Sequence, residues 1–306
     1  MPNINLCIVI VHYNCWKYLQ NCIDSIISQT TPPSKLVIVD NASVKSIKKH
    51  VSKYKNLSFE IKLIENHENV GFSKACNIGV RESTEEFILF CNPDIVIPKN
   101  GIQELYNQYL SNDINLLGCQ LSNRVGKLQK VGGVFPKISH MLPILGRVLK
   151  KQSIKSFINK NSIIYSDWVT GAVILVSRHD LQKIGLWNED YFMYMEDVDL
   201  GKAAKEKSMK VGFTSKTTWI HHHGKSSTSR KRDRINSKSS LIRSKHTYVS
   251  KYFTGISKYI AHFFIFLRYF PELFIAITFA PFFSFDELKI KQQVALNTIK
   301  YYYNKS

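Results

Sequence analysis

Short apolar runs alternating with helix-periodic stretches constrain this chain more than any other feature. Residues 6–11 (Leu-Cys-Ile-Val-Ile-Val) form a continuous, β-branched run, the pattern of a strand buried on both faces. Trp16, Leu19, Ile23, Ile26 and Ile27 follow at helical spacing, and Thr31, Pro32 and Pro33 end that helix. Asn14 is placed to cap it. Residues 36–39, 61–64 and 87–90 read as further strands, with a helix over about 73–82 between the last two. The alternation predicts an α/β fold, a Rossmann-like, mostly parallel sheet flanked by helices. Ligands of such sheets sit beyond the carboxyl ends of the strands, where Asn14, Asp40, Asn69 and Asp94 fall.

Residues 101–164, punctuated by Gly126, Gly132, Gly133, Pro136 and Pro143, are expected to be loop-rich. Order returns with a strand at 173–176, a helix from Glu196 or Asp197 to about Lys207, and a short strand at 210–213. Beyond Trp219 the character changes. Residues 225–245 hold eight basic side chains against Asp233 alone, and residues 259–285 are densely aromatic and apolar. Arg268, Pro271 and Glu272 interrupt that segment, so no run approaches the roughly 20 residues a membrane-spanning helix needs. A basic stretch followed by a Phe-rich one suits peripheral contact with an anionic membrane surface. A C-terminal helical pair packed on the core is the alternative.

Charge narrows the partners. Forty-two Lys and Arg face 23 Asp and Glu, a net +19 that calls for nucleic acid, a phospholipid surface or a phosphorylated substrate. No recognised nucleic-acid module accompanies the charge, so no nucleic-acid partner is expected. A basic nucleic-acid-binding protein remains the alternative from a different class. All six cysteines lie within the first 119 residues without a CxxC pair, which predicts free thiols in a reducing compartment. With no leader-like start, the expectation is cytoplasmic.

Two acidic clusters carry the chemistry. Asn92, Pro93 and Asp94 end the strand at 87–90, and residues 191–200 read Tyr-Phe-Met-Tyr-Met-Glu-Asp-Val-Asp-Leu. Each sets carboxylates beside large apolar residues, where an unpaired charge is unfavourable unless a cation, proton or substrate compensates it. His221, His222 and His223 cannot all converge on one ion, because successive side chains of an extended segment point to opposite faces.

Together with residues 8–14, 37–43, 68–79, 167–172 and 221–227, these pieces resemble the inverting family 2 glycosyltransferases of GT-A fold. The likeness is greatest to bacterial rhamnosyltransferases of surface-polysaccharide assembly, and it spans residues 6–227. It implies a catalytic domain over 1–228, with a nucleotide-binding half (1–100) and an acceptor-binding half (101–228). A basic and apolar helical region, 229–306, follows. The resemblance places Asn14, Asp40, Asn69, Gly71, Asn77, Asn92, Asp94, Gly171, Lys225 and Ser226 around a nucleotide-sugar donor. It assigns a divalent cation, Mg2+ or Mn2+, to Asp94 and to His221 or a neighbouring histidine, with Asn92 replacing the first acid of the family's Asp-x-Asp. Asp197 is the implied base, with Glu196 competing for the role, while Asp199 suits the positive end of a helix. Trp168 and Thr170 would shape the pocket. The implied reaction moves L-rhamnose from dTDP-L-rhamnose to a lipid-linked saccharide for O-antigen or capsule, at the inner face of the plasma membrane. A UDP-hexose or UDP-N-acetylhexosamine donor is the alternative.

Overall fold

The computed structural model describes residues 4–141, 163–222, 231–279 and 286–303. They divide into two compact units. The first takes residues up to 135, 163–189 and 196–222; the second takes 136–141, 190–195 and the described residues from 231 onward.

In chain order the elements begin with β1 (Ile4–His12), α1 (Trp16–Ile27), β2 (Pro33–Asp40), α2 (Lys48–Val51), β3 (Glu60–Glu65), α3 (Phe72–Arg81), β4 (Phe87–Cys91) and β5 (Ile95–Val96). There follow α4 (Gly101–Leu110), β6 (Leu116–Ser122), β7 (Gly132–Gly133), α5 (Ile138–Met141), β8 (Ile163–Tyr165), β9 (Trp168–Val169) and β10 (Val173–Ser177). The last are α6 (Arg178–Ile184), α7 (Glu196–Glu206), β11 (Val211–His221), α8 (Lys231–Tyr252), α9 (Gly255–Phe279) and α10 (Asp286–Tyr303).

The first unit is built on one mixed sheet of order β3-β2-β1-β4-β10-β6-β11-β5, with β8 also paired to β11. β3, β2, β1 and β4 run parallel, as the unbroken apolar runs of β1, β2 and β4 predict. β10 reverses direction against β4 and β6, and β11 returns parallel to β6. Ile8, Ile10, Leu36, Ile38 and Leu89 are fully buried at the centre.

Three expectations require correction. Residues 101–164 are not simply loop-rich: they supply α4 and β6, and β6 lies between β10 and β11. Gly118 and Gln120 interrupt its apolar run, so the signal is hidden although the strand is buried almost throughout. The short strand expected at 210–213 continues to His221. A register shift between Thr214 and Thr218 leaves Ser215 and Lys216 exposed, which breaks the apolar pattern midway. Asn14 is also not the cap of α1; Cys15 holds that position without a side-chain cap bond.

In the second unit α8, α9 and α10 pack through two small clusters, Ile242 with Ile290 and Val294, and Val249 with Ala261 and Ile265. Lys231 pairs with Asp286, and Arg234 and Lys238 with Glu287, so part of the basic segment is neutralised internally. Among the described residues no helix is long and apolar enough to cross a membrane.

Candidate active site

β1 and β2 end in register, His12 beside Asp40, and their loops are clipped together. The Asn14 N–H donates to Ser43 Oγ (2.8 Å), the Val44 N–H to Asn14 Oδ1 (2.9 Å), and the Ser43 N–H to Asp40 Oδ1 (3.1 Å). Burial raises the Asp40 pKa from its ordinary value, opposed by hydrogen bonds from Ser43. His12 is buried, and desolvation lowers it to about 4, so it is neutral.

Asn41 ties this corner to the next loop. Its Nδ2 donates to Asn69 Oδ1 (2.9 Å) and the Gly71 carbonyl (3.1 Å), while its Oδ1 accepts from Asn66 Nδ2 and the Val70 N–H. Gly71 opens α3 with φ of 88°, a backbone that side chains resist, so the turn requires glycine. Asn69 and Gly71 are thus brought to the Asp40 corner. Asn77 is not: its amide donates to the Trp187 carbonyl (2.8 Å) and accepts from the Trp187 N–H (3.1 Å). It is engaged inside the fold instead of forming the open donor–acceptor pair expected from the sequence.

β4 delivers Asn92 and Asp94 to the same end of the sheet. The Asn92 N–H donates to the Ala172 carbonyl (2.9 Å) and continues the β4–β10 ladder beyond Cys91 and Val173. Asp94 is 1% exposed, and neither carboxylate oxygen has a hydrogen-bond partner among the described residues. Its nearest charged-group contact is His221 Nε2, 3.4 Å from Oδ1. The tautomer follows from Gln129, whose Nε2 donates to the His221 carbonyl (2.9 Å), leaving Oε1 as acceptor for His221 Nδ1 at 2.8 Å. Nδ1 is thus engaged by Gln129, and Nε2 is the ring atom that faces the Asp94 carboxylate. A carboxylate and an imidazole nitrogen at that distance are compatible with a positive charge between them, either a proton or a metal ion. The pair therefore fits a divalent cation with oxygen and imidazole ligands. Among the described residues no group of three His, Cys, Asp or Glu side chains gathers as a complete metal cage. Lys225, Ser226 and His223 lie outside the described residues.

Asp197 reaches the same sheet end from α7. Its Oδ2 accepts from the Gly171 N–H (3.4 Å), one residue from the Ala172 carbonyl that binds Asn92, and its Oδ1 accepts from the Val198 N–H (2.8 Å). Burial raises Asp197 to about 6, opposed by these N–H groups and by the charge of Lys130. Adjacent Glu196 is buried with Oε2 unpartnered among the described residues, and burial together with Asp197 pushes its pKa up further. At neutral pH the pair therefore offers one ionised carboxylate, Asp197, beside one protonated acid, Glu196.

Gln129 and Lys130 were not found from the sequence, because they lie in the segment read as loop. Lys130 Nζ sits 4.9 Å from the centre of the Trp168 ring, whose Nε1 is held by the Val134 carbonyl (3.1 Å). The repeated Asn and Asp after consecutive strands could have revealed Asn41 and Asn66; nothing local marks Gln129.

Comparison with known proteins identifies the family and the fold. Residues 7–169 match the family model described as glycosyl transferase family 2. A low-salt glycan biosynthesis hexosyltransferase of Haloferax volcanii is 26% identical over 227 residues, 71% of this chain and 67% of that protein. An N-acetylglucosaminyl-diphospho-decaprenol L-rhamnosyltransferase of Mycobacterium tuberculosis is 24% identical over 245 residues, 73% of this chain and 77% of its own. Among solved structures, a mannosyltransferase from Pyrobaculum calidifontis in complex with GDP-Man and Mn2+ superposes with a TM-score of 0.56 at 14% identity. That match covers 100% of this chain and 89% of the other, and it establishes the GT-A fold.

Proposed function

The chain belongs to glycosyl transferase family 2, and on that premise we propose an inverting enzyme that moves L-rhamnose from dTDP-L-rhamnose to a lipid-linked saccharide in cell-surface polysaccharide synthesis. One observation carries the reading: a buried carboxylate, Asp94, without a hydrogen-bond partner among the described residues, lies 3.4 Å from the His221 imidazole at the sheet end that also receives Asp197. The Asp40 corner, with Asn14, Asn69 and Gly71, would hold the nucleotide. Asp94 and His221 would hold Mg2+ or Mn2+, which when bound supplies charge neutralisation to the departing diphosphate.

Asp197 accepts the proton of the acceptor hydroxyl as its oxygen attacks the anomeric carbon from the face opposite the diphosphate. A new glycosidic bond forms, the bond to the diphosphate breaks, and the electron pair leaves with it. Glu196, protonated beside it, keeps the local charge to a single anion. Lys130 and the Gly171 N–H hold that anion in place.

The rhamnosyl donor is supported by the mycobacterial relative's name, and peripheral attachment at the inner membrane face by the net charge of +19 and the exposed aromatics of α9. A thermal-shift screen of nucleotide sugars with Mg2+ or Mn2+ tests the donor, since ligands that bind only the folded state raise its melting point. We expect dTDP-L-rhamnose to give the largest shift. A larger shift with a UDP-hexose or UDP-N-acetylhexosamine would replace the donor while leaving the reaction class intact.

A further inference from the structure

α8, α9 and α10 enclose an open, almost wholly apolar groove of about 660 Å3 within the second unit. That volume lies in the range of sites that bury most of a ligand. Buried Ile242, Ile265 and Ala295 line it, and Phe266, Phe270 and Phe274 stand along it 52%, 43% and 54% exposed. The lining runs on α9 from His262 to Ile277. At 1.5 Å per residue this is about 22 Å, longer than the roughly 15 Å hydrocarbon depth of one leaflet.

The groove has a polar end. His246, Thr247, Ser250 and His262 gather there, the two histidine rings stacked with Nδ1 atoms 2.7 Å apart. Burial lowers His246 to about 4, so it contributes hydrogen bonding and no charge. Cations lie close by. Lys245 donates to the hydroxyl of Tyr269, a lining residue, and Arg268 lies 5.9 Å from the same ring centre. Lys231, Arg234 and Lys238 have carboxylate partners, whereas among the described residues neither Lys245 nor Arg268 has one. Lys245 is half-buried, and desolvation with Arg268 nearby lowers it to about 8, so an anionic ligand would favour its charged form.

We propose that this groove seats the isoprenoid chain of a polyprenyl-diphosphate acceptor, with Lys245 and Arg268 supplying positive charge for its diphosphate. The proposal rests on the lipid-linked acceptor of the proposed function and names where that lipid binds. A simple membrane-insertion face requires exposed apolar side chains but no concavity floored by buried Ile242, Ile265 and Ala295. Two cations without a carboxylate partner among the described residues, beside a long apolar groove, match an amphiphile with one chain and an anionic head.

Photolabelling of the full-length protein with benzophenone-tagged farnesyl diphosphate, mapped by mass spectrometry, is the test. Labelling should fall on α9 and be competed by untagged farnesyl diphosphate. It should weaken by about tenfold or more in Phe266→Ser/Phe270→Ser, the size expected for lost apolar burial. Both rings are half exposed, so melting should stay near wild type, and Lys245→Gln gives an independent, several-fold weakening. Labelling elsewhere, or indifferent to these variants, would overturn the proposal. So would equal competition by dodecyl phosphate, which makes the groove a general amphiphile site, or by inorganic diphosphate, which makes it a site for the head alone. Labelling needs neither donor nor metal. Lost labelling with intact transfer to a short-chain acceptor sinks only the groove, and the converse sinks only the proposed reaction.

Discussion

At the scale of single residues, Glu196 and Asp197 show how one helix start separates two carboxylates. Burial raises both, the Asp197 charge raises Glu196 further, and the N–H groups of Val198 and Gly171 favour the ionised form of Asp197. Asp197→Asn should lower transfer by about 10²–10⁴-fold, the usual worth of a general base, with nucleotide binding retained. In wild type, kcat/KM should rise with pH through about 6 and level above it, since the base must be ionised. A folded pKa above the ordinary 3.8 means the native state binds this proton more tightly. Its stabilising effect is thus complete below 3.8 and lost as pH rises through about 6. Asp197→Asn should therefore melt higher than wild type at pH 8 and converge with it in acid. Calorimetry at the two pH values checks the sign, and a variant less stable at pH 8 would contradict it.

At the scale of elements, α7 is held against β9 by the absence of a side chain. A Cβ on Gly201 would lie 2.5 Å from the Asp167 carbonyl oxygen and 2.9 Å from Trp168 atoms. Gly201→Ala should cost about 1–3 kcal/mol through overpacking, a melting drop on the order of 5 °C. Because Asp197 rides on the same helix, kcat should fall more than KM changes; a variant that melts and turns over like wild type would show α7 free to yield. Legibility in the sequence followed the same logic. β1, β2 and β4 were readable because parallel strands buried on both faces are apolar without interruption. β6 and the second half of β11 were not, since Gly118, Gln120 and Ser215-Lys216 break their patterns and only pairing across the sheet defines them. The carboxylates of the site stood out as charges among large apolar residues. Asn77 stood out for the wrong reason, its true partner Trp187 lying 110 positions away. Gln129 was invisible because its meaning depends on His221, 92 positions on.

At the scale of the whole molecule, the net charge of +19 and the exposed Tyr259, Phe263, Phe270 and Phe274 of α9 predict peripheral membrane contact. The full chain should float with vesicles containing anionic phospholipid and not with neutral ones at about 0.15 M salt, and release should follow as salt screens the charge. Equal flotation with neutral vesicles would assign attachment to the apolar face alone. The ion pairs of Lys231, Arg234 and Lys238 reduce the cations available, so Lys258 and Arg268 are the better mutagenesis targets. The central proposal, that Asp94 would hold a divalent cation supplying charge neutralisation to the diphosphate, is tested most directly by calorimetric titration of dTDP and UDP with and without Mn2+. Wild type and Asp197→Asn should bind the preferred nucleotide about tenfold or more tightly when Mn2+ is present, and Asp94→Asn should lose that dependence. Undiminished Mn2+ dependence in Asp94→Asn would contradict the account.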